Sequence, residues 1–440
     1  VNLEPAPCAL PGATVARTPM TRVALASLVG SAIEFYDFFL YGTAAALVFP
    51  GVFFPGLGPT MAAIASLATF ASAFFSRPLG AALFGHFGDR LGRKATLIAT
   101  LVIMGLSTVA VGLLPGVATI GLAAPLILLA LRLLQGIALG GEWAGSALLL
   151  AEHAPRDRRG EFGMFTPLGA GVGLVLANVA MLAVNRTVGE ASHAFMSWGW
   201  RVPFLFSAVL IVVALYVRLN VTETPVFAAR GRDARAGTPI AELFRAQPRQ
   251  VLLAAGCAVA PFTLSFMAGT YLMNYAHARL GHPRDLILFV GVLGGLSMIA
   301  SVAAAAVWSD RLGRRRVMLY GLAFGLPWVF AVMPLMDTGD TALFGAAIIG
   351  TYAVLGMLTA PLSSFIPETF ATRYRYTGAG LAFNAGGIVG GAMAPLLAGA
   401  LAATVGGWSI GLMMAVLMLA SLACTLALPE TLGGSLTEAD

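Results

Sequence analysis

The string Gly85-His86-Phe87-Gly88-Asp89-Arg90-Leu91-Gly92-Arg93-Lys94 returns as Trp308-Ser309-Asp310-Arg311-Leu312-Gly313-Arg314-Arg315-Arg316, with Asp310 lying 221 positions after Asp89. The cores match residue for residue, from Asp89 to Arg93 and from Asp310 to Arg314. Each copy stands between two long apolar runs. A repeat this charged, in a chain of which only 10% is charged, marks two homologous halves joined end to end. Joined halves built from apolar runs are the internal repeats of membrane transporters.

Composition identifies the solvent. Hydrophobic residues make up 58% of the chain, and the mean hydropathy is +0.86. A water-soluble protein of this length needs far more polar surface. The 440 residues therefore count membrane spans of roughly 20 residues, not soluble domains. Apolar stretches fall near 23–50, 60–84, 95–114, 121–151, 162–184 and 201–219, and again near 249–275, 284–308, 317–335, 341–366, 377–402 and 406–428. This predicts an all-α membrane protein, with twelve transmembrane helices in two pseudo-symmetric six-helix halves, 23–219 and 249–428. A cytoplasmic tail (1–22), a polar linker (220–248) and a second cytoplasmic tail (429–440) complete the expected organisation. The first 20 residues contain no charged segment followed by a cleavable apolar core, so they read as a tail and not as a signal peptide.

The basic residues set the orientation. With both ends in the cytoplasm, twenty Arg and Lys fall inside, Arg218 among them, against four outside: Arg186, Arg201, Arg279 and Arg284. That asymmetry satisfies the positive-inside rule. It also accounts for a pI near 9.5 without a nucleic-acid partner. The expected setting is the cytoplasmic (inner) membrane of a bacterium, as a multi-pass monomer. Cys8, Cys257 and Cys424 show neither metal nor redox spacing. No cofactor is implied, protons serving as the coupling ion.

Charges inside a span are expensive and normally face a cavity or a partner. Here they are confined to the first half: Glu34 and Asp37, Arg77, Arg132 and Glu142. Glu34, Asp37 and Tyr41 follow i, i+3, i+7 spacing and share one helical face, with Glu34 about 16 Å into its span. Two carboxylates this close in a low dielectric resist ionising together. A carboxylate that gains and loses a proton near neutral pH is what proton coupling requires; a fixed ion pair with Arg77 or Arg132 is the alternative. Arg132 is always charged and needs an anion, from within the protein or from the cargo, and Gln135 stands one turn on to hold an oxygen. Arg77 is a second anion ligand or a helix tie. Glu142 reads as an inner-gate partner, and Arg201 as a side chain snorkelling at the outer edge. In the second half Tyr271, Asn274, Tyr275 and Asn384 offer neutral hydrogen-bonding groups. Candidate cargo contacts are Tyr41, Arg77, Arg132, Gln135, Tyr271 and Asn274. The five histidines lie at loops or span ends, and no nucleophile or metal constellation forms in the membrane, which argues against an enzyme.

Several strings narrow the class: Glu34-Phe35-Tyr36-Asp37-Phe38-Phe39-Leu40-Tyr41-Gly42, Arg77-Pro78-Leu79-Gly80, Arg132-Leu133-Leu134-Gln135-Gly136, Gly140-Gly141-Glu142-Trp143 and Trp198-Gly199-Trp200-Arg201-Val202-Pro203-Phe204. With the cassette and the twelve spans, they resemble the major facilitator superfamily and, within it, the metabolite:proton symporter family. Members of that family carry organic acids such as shikimate, α-ketoglutarate and citrate, or osmolytes such as proline and betaine. The resemblance covers about residues 20–430, and Phe35 departs from the Trp of many relatives. It implies a proton-coupled symporter importing a small organic acid anion by alternating access. Zwitterionic osmolyte transport and drug:proton antiport are the alternatives. It further implies that Asp89 and Arg93, and Asp310 and Arg314, form inner-gate contacts between the halves.

Overall fold

The computed structural model describes residues 19–91, 93–155, 158–189, 192–219, 239–371 and 374–434. Among them, twelve helices are long and apolar enough to cross a membrane. The first half holds α1 (Met20–Leu47), α2 (Met61–Gly85), α3 (Lys94–Leu113), α4 (Ala123–Ala151), α5 (Arg159–Val188) and α6 (Phe195–Leu219). The second holds α7 (Pro248–Ala278), α8 (Arg284–Leu312), α9 (Arg314–Asp337), α10 (Thr341–Thr369), α11 (Arg375–Ala402) and α12 (Trp408–Ala427). Helices suit these apolar runs because each backbone N–H and C=O finds its partner within the segment, where lipid offers none.

The two halves repeat one packing scheme. In the first, α1 touches α5 and α6, α2 touches α4, and α3 touches α4 and α6. In the second, α7 touches α11 and α12, α8 touches α10, and α9 touches α10 and α12. The halves meet along α5–α8 and α2–α11, which are equivalent pairs under the repeat. Glycine sets the closest approach inside the first half. A Cβ on Gly140 would lie 2.0 Å from the Arg77 carbonyl oxygen, and one on Gly80 would lie 1.9 Å from that of Ile137. So α2 and α4 pack backbone against backbone, as small residues permit.

Two local features depart from the periodic reading. The cassettes are helix ends and not loops: the α2 helix runs on to Leu91, and α8 keeps its helical bonds to Leu312. At Gly313 the chain turns with φ +106, a conformation that glycine adopts without a Cβ penalty. Glu430 then caps the new helix, accepting from the backbone N–H groups of Arg314 (2.9 Å) and Arg315 (3.1 Å). The second feature is a π-helical turn in each of α7 and α11, at Met267–Leu272 and Ile388–Met393. Such turns recur at functional sites. The end of the expected linker forms a short helix, Pro239–Ala246, that touches α11 and buries Leu243. The remainder of the linker, 220–238, and the tails at 1–18 and 435–440 lie outside the described residues.

Replacing Gly140 by Val forces α2 and α4 apart. The overpacking is expected to cost roughly 1–3 kcal/mol and to lower the unfolding temperature in detergent. Gly399→Val, at a position with no neighbour within 4 Å, is expected to leave it unchanged. Equal melting of the two variants would show that the helices are not in backbone contact.

Candidate functional site

Asp37 is buried in the middle of α1. Its Oδ2 accepts from Thr108 of α3 (2.8 Å) and its Oδ1 from Ser207 of α6 (2.6 Å). Gln135 donates through Nε2 to Thr108 (2.8 Å) and accepts through Oε1 from Arg132 Nη1 (3.0 Å). A continuous chain therefore runs from Arg132 on α4 through Gln135 and Thr108 to Asp37 on α1. The rest of the Arg132 guanidinium faces rings, 4.0 Å from the Tyr41 centroid, 4.7 Å from Phe38 and 5.1 Å from Phe70. Its Nε and Nη2 have no hydrogen-bond partner among the described residues. Arg77 repeats the arrangement on α2, 4.4 Å from Phe74 and 4.8 Å from Phe38, with Nε unpartnered. Phe38 thus lies against both guanidinium groups, and its ring also meets Phe266 of the other half, centroid to centroid at 4.9 Å.

Glu34 is equally buried, with no ion pair within 4 Å among the described residues. Its field comes from Glu142, Arg77 and Arg218, whereas that of Asp37 comes from Arg132 and Glu142. The two carboxylates share a helical face, and Glu142 on α4 acts on both, while Arg77 and Arg218 face Glu34 and Arg132 faces Asp37.

The expectation for Glu142 is corrected. Its Oε1 accepts from Arg218 Nη2 of α6, and Arg218 Nη1 donates to the Leu97 carbonyl of α3. This pair closes within the first half, so Glu142 is not a contact between halves. Arg218, counted above among the cytoplasmic charges, belongs to the bundle interior. Gly30 makes room for it, since a Cβ there would collide with the guanidinium. The α4 atoms that hydrogen-bond to the other half are backbone carbonyls. Tyr376 donates to Gly141 O (2.7 Å) and Asn384 to Gly140 O (3.1 Å).

At the end of the bundle rich in arginine, called here the basic end, Asp310 crosses between halves. Its carboxylate accepts from the backbone N–H groups of Gly160 (2.8 Å) and Glu161 (2.7 Å), in the first turn of α5. A carboxylate at a helix N-terminus is stabilised by the unpaired N–H groups and the helix dipole. Arg314 Nη1 holds the same carboxylate at 2.8 Å and lies 3.6 Å from Glu368. Arg314 therefore positions Asp310 from within the second half and does not itself cross. Ser363 and Ser364 add bonds to the carbonyls of Gly163 (2.9 Å) and Arg159 (3.1 Å). The side chains of Asp89 and Arg93 lie outside the described residues. At the opposite end Asp285 of α8 accepts from Asn185 (2.6 Å) and Arg186 (3.2 Å) of α5. Arg201 donates to the carbonyls of Gly112 (2.9 Å) and Leu114 (2.5 Å) at the end of α3.

Between the halves lies a cavity of about 50 Å³. Aromatic rings (Phe35, Trp143, Phe262, Phe266 and Phe383) and the hydroxyl residues Thr166, Ser265, Thr359 and Ser363 line it, and no charged side chain does among the described residues. Trp143 and Phe383 stack across the halves at 3.6 Å, nearly parallel. None of the six expected cargo contacts lines this cavity. Tyr41, Arg77, Arg132 and Gln135 gather behind Phe38, with Tyr41 hydrogen-bonded to Thr69 (2.8 Å). Tyr271 donates to Ala398 O (3.4 Å), Tyr275 to Asp337 (2.6 Å), and Asn274 is half-buried beside them on α7. The sequence reading missed Thr108, Ser207, Ser363 and Ser364, because a hydroxyl in an apolar span has no periodic signature. Arg218 was visible as a charge, but only packing reveals its partner.

Residues 27–392 match the Major Facilitator Superfamily, and the chain belongs to it. It is 41% identical over 416 residues to the inner membrane metabolite transport protein YhjE of Escherichia coli K12, covering 93% of this chain and 94% of that one. It is 37% identical to the shikimate transporter of the same organism, over 88% and 89% of the two chains. The structure of the proton:xylose symporter XylE bound to 6-bromo-6-deoxy-D-glucose superposes with a TM-score of 0.73 at 19% identity, covering 95% of this chain and 98% of that one, and so shares the fold. The protein is a multi-pass membrane transporter of metabolites, not an enzyme.

Asp310→Asn removes the anion from the α5 N-terminus and is expected to loosen the contact at the basic end. Single cysteines placed in the lining of the cavity should then label faster from that side than in the parent. An unchanged labelling pattern would exclude Asp310 from holding the halves together.

Proposed function

We propose that this transporter is a proton-coupled symporter that imports a small organic acid anion, with its basic end and both termini in the cytoplasm of a bacterial cell. One observation carries the reading. Beside the paired Glu142 and Arg218, two further carboxylates (Glu34 and Asp37) and two further guanidinium groups (Arg77 and Arg132) are buried in the membrane-spanning part of the first half, and none of these four is ion-paired to another within 4 Å among the described residues. Charges held apart at this depth are costly and are retained where a mobile charge completes them. Asp37 has the surroundings of a proton site. Thr108 and Ser207 stabilise its ionised form by donating to it, and either hydroxyl can turn to accept its single O–H when it is protonated. Arg132 and Arg77 have N–H groups that an anion would satisfy.

Coupling follows from their connection. While Asp37 is ionised, it balances Arg132 through Gln135 and Thr108. Protonation removes that balance, and the guanidinium gains more from a cargo carboxylate. Proton binding thus favours anion binding, and by linkage the reverse also holds. The cavity is far smaller than the roughly 300–1,000 Å³ of ligand pockets, so the rings that line it, Phe262 and Phe266 among them, separate to admit cargo. A relative named for shikimate supports the class. Shikimate is a hydroxylated ring with one carboxylate, which suits aromatic rings and hydroxyls backed by guanidinium groups.

Asp37→Asn in proteoliposomes is expected to abolish accumulation driven by a pH gradient. Exchange of labelled for unlabelled substrate, which needs no net proton movement, should persist. Full gradient-driven accumulation by this variant would remove Asp37 from coupling. Arg132→Lys keeps the charge but loses the planar fork. Its affinity for shikimate should fall about tenfold or more, on the scale of one charge-assisted hydrogen bond, relative to the corresponding amide and to betaine measured in parallel. Equal shikimate affinity in both proteins would exclude Arg132 from the cargo site, and tighter binding of betaine than of shikimate would identify an osmolyte transporter.

A further inference from the structure

From Glu34 toward the basic end, Ser31 and Ser27 follow at i−3 and i−7, on the same face of α1. Both are buried, at 1% and 3% exposure, and neither hydroxyl has a hydrogen-bond partner among the described residues. Oε2 of Glu142 is buried and unpartnered as well. Each such group costs on the order of 1–3 kcal/mol if left unsatisfied, and water is the usual remedy. Space for it adjoins Ser27 and Arg218, the partner of Glu142. A cavity of about 30 Å³ is lined by Ser27, Ser146, Lys94 and Arg218, together with Ala26, Leu97 and Leu149. One water needs roughly 10–15 Å³ and two to four polar partners, so the cavity holds one or two. It lies inside the first half, among α1, α3, α4 and α6, and shares no lining residue with the cavity between the halves. Lys94, the first residue of α3, brings it to the basic end.

We propose that this cavity is a hydrated proton exit, separate from the path of the cargo, through which Glu34 discharges to the cytoplasm. The O–H bond of protonated Glu34 breaks and its proton passes to a water. Waters beside Ser31 and Ser27 relay the proton past Ser146 and the Glu142–Arg218 pair, and it leaves as hydronium near Lys94. Glu34 remains as a carboxylate. Arg77 on α2 and Arg218 on α6 stabilise that charge and Glu142 on α4 opposes it, while α5 contributes no ionisable side chain between Phe165 and Val184. Asp37, one turn nearer the other end of α1, stands upstream. Proton and cargo then leave by different routes, and release of one need not wait for the other to clear the cleft.

The inference rests on the proton-coupled reading, and the test separates the two. Wild type, Ser27→Val, Ser31→Val and Ser27→Thr are reconstituted, and internal acidification by a trapped pH dye is followed during shikimate uptake. Shikimate counterflow at equal pH is followed in parallel. Both valine variants lose the hydroxyl, and Ser27→Val also fills the cavity. Their coupled proton flux is expected to fall about tenfold or more, the rate equivalent of one lost hydrogen bond in the relay. Counterflow should stay at the wild-type rate, and Ser27→Thr, which keeps the hydroxyl, should retain proton flux. Wild-type proton flux in both valine variants would overturn the exit. Shikimate transport without any proton flux in wild type would instead overturn the coupled reading itself. Should the valine variants fail to fold, Ser27→Cys in a background with Cys8, Cys257 and Cys424 replaced by Ser gives a second measurement. Ag⁺ added at the basic side should block later labelling of this thiol after denaturation, and full labelling would overturn the exit.

Discussion

The rest of the structure depends on how the buried charges of the first half are held. In hydrocarbon a charge must find its stabilisation within the protein, and here five helices supply it. Asp37 of α1 is held by hydroxyls on α3 and α6. Arg132 of α4 is joined to it through Gln135 and Thr108. Arg218 of α6 reaches Glu142 on α4 and the backbone of α3, and Arg77 brings α2 into the same interior through Phe38 and Phe74. These bonds tie the first half into one unit. A change in the charge of one member is felt by all of them, because low dielectric strengthens every interaction in the set.

The second half and the cleft are built differently. No Asp, Glu, Lys or Arg stands in the middle of α7, α8, α10 or α11, and the faces that meet across the cleft are rings and small residues. Phe38 and Phe74 against Phe266, and Trp143 against Phe383, touch without interlocking charge. Hydrogen bonds between halves lie chiefly toward the ends, at Asp310 and at Asp285. Aromatic contacts separate without leaving a buried charge uncompensated, and the bonds at the ends can be exchanged for water. Such an interface suits two rigid bodies that rock about a central site.

Much of this was legible in the order of residues. The paired cassettes and the alternation of apolar runs define twelve helices and two halves, because lipid forces every apolar run of that length into a helix whose ends carry the charge. The confinement of intramembrane charge to Glu34, Asp37, Arg77, Arg132 and Glu142 pointed to the half that carries the ionisable chemistry, since such residues are too costly to be incidental. The family followed from the same strings.

Partners were decided only by the tertiary structure. Periodicity placed Glu34 and Asp37 on one face, but which side chains of α2, α3, α4 and α6 face each of them came only from the packing. Glu142, read as a gate, is held by Arg218, a residue that loop position alone assigned to the cytoplasm. Arg132 has rings and an amide around it, and no carboxylate within ion-pair distance among the described residues. A one-dimensional pattern reports which side of a helix a residue occupies and how deep it lies. Which neighbour it meets depends on the rotation and crossing of several helices at once, and those are set by close approaches such as Gly140 on Arg77 and Gly30 beneath Arg218. The hydroxyls of Thr108 and Ser207 show the limit most plainly. Their chemistry is common to every serine and threonine of the chain, and only the packing of α3 and α6 on α1 turns these two toward a carboxylate.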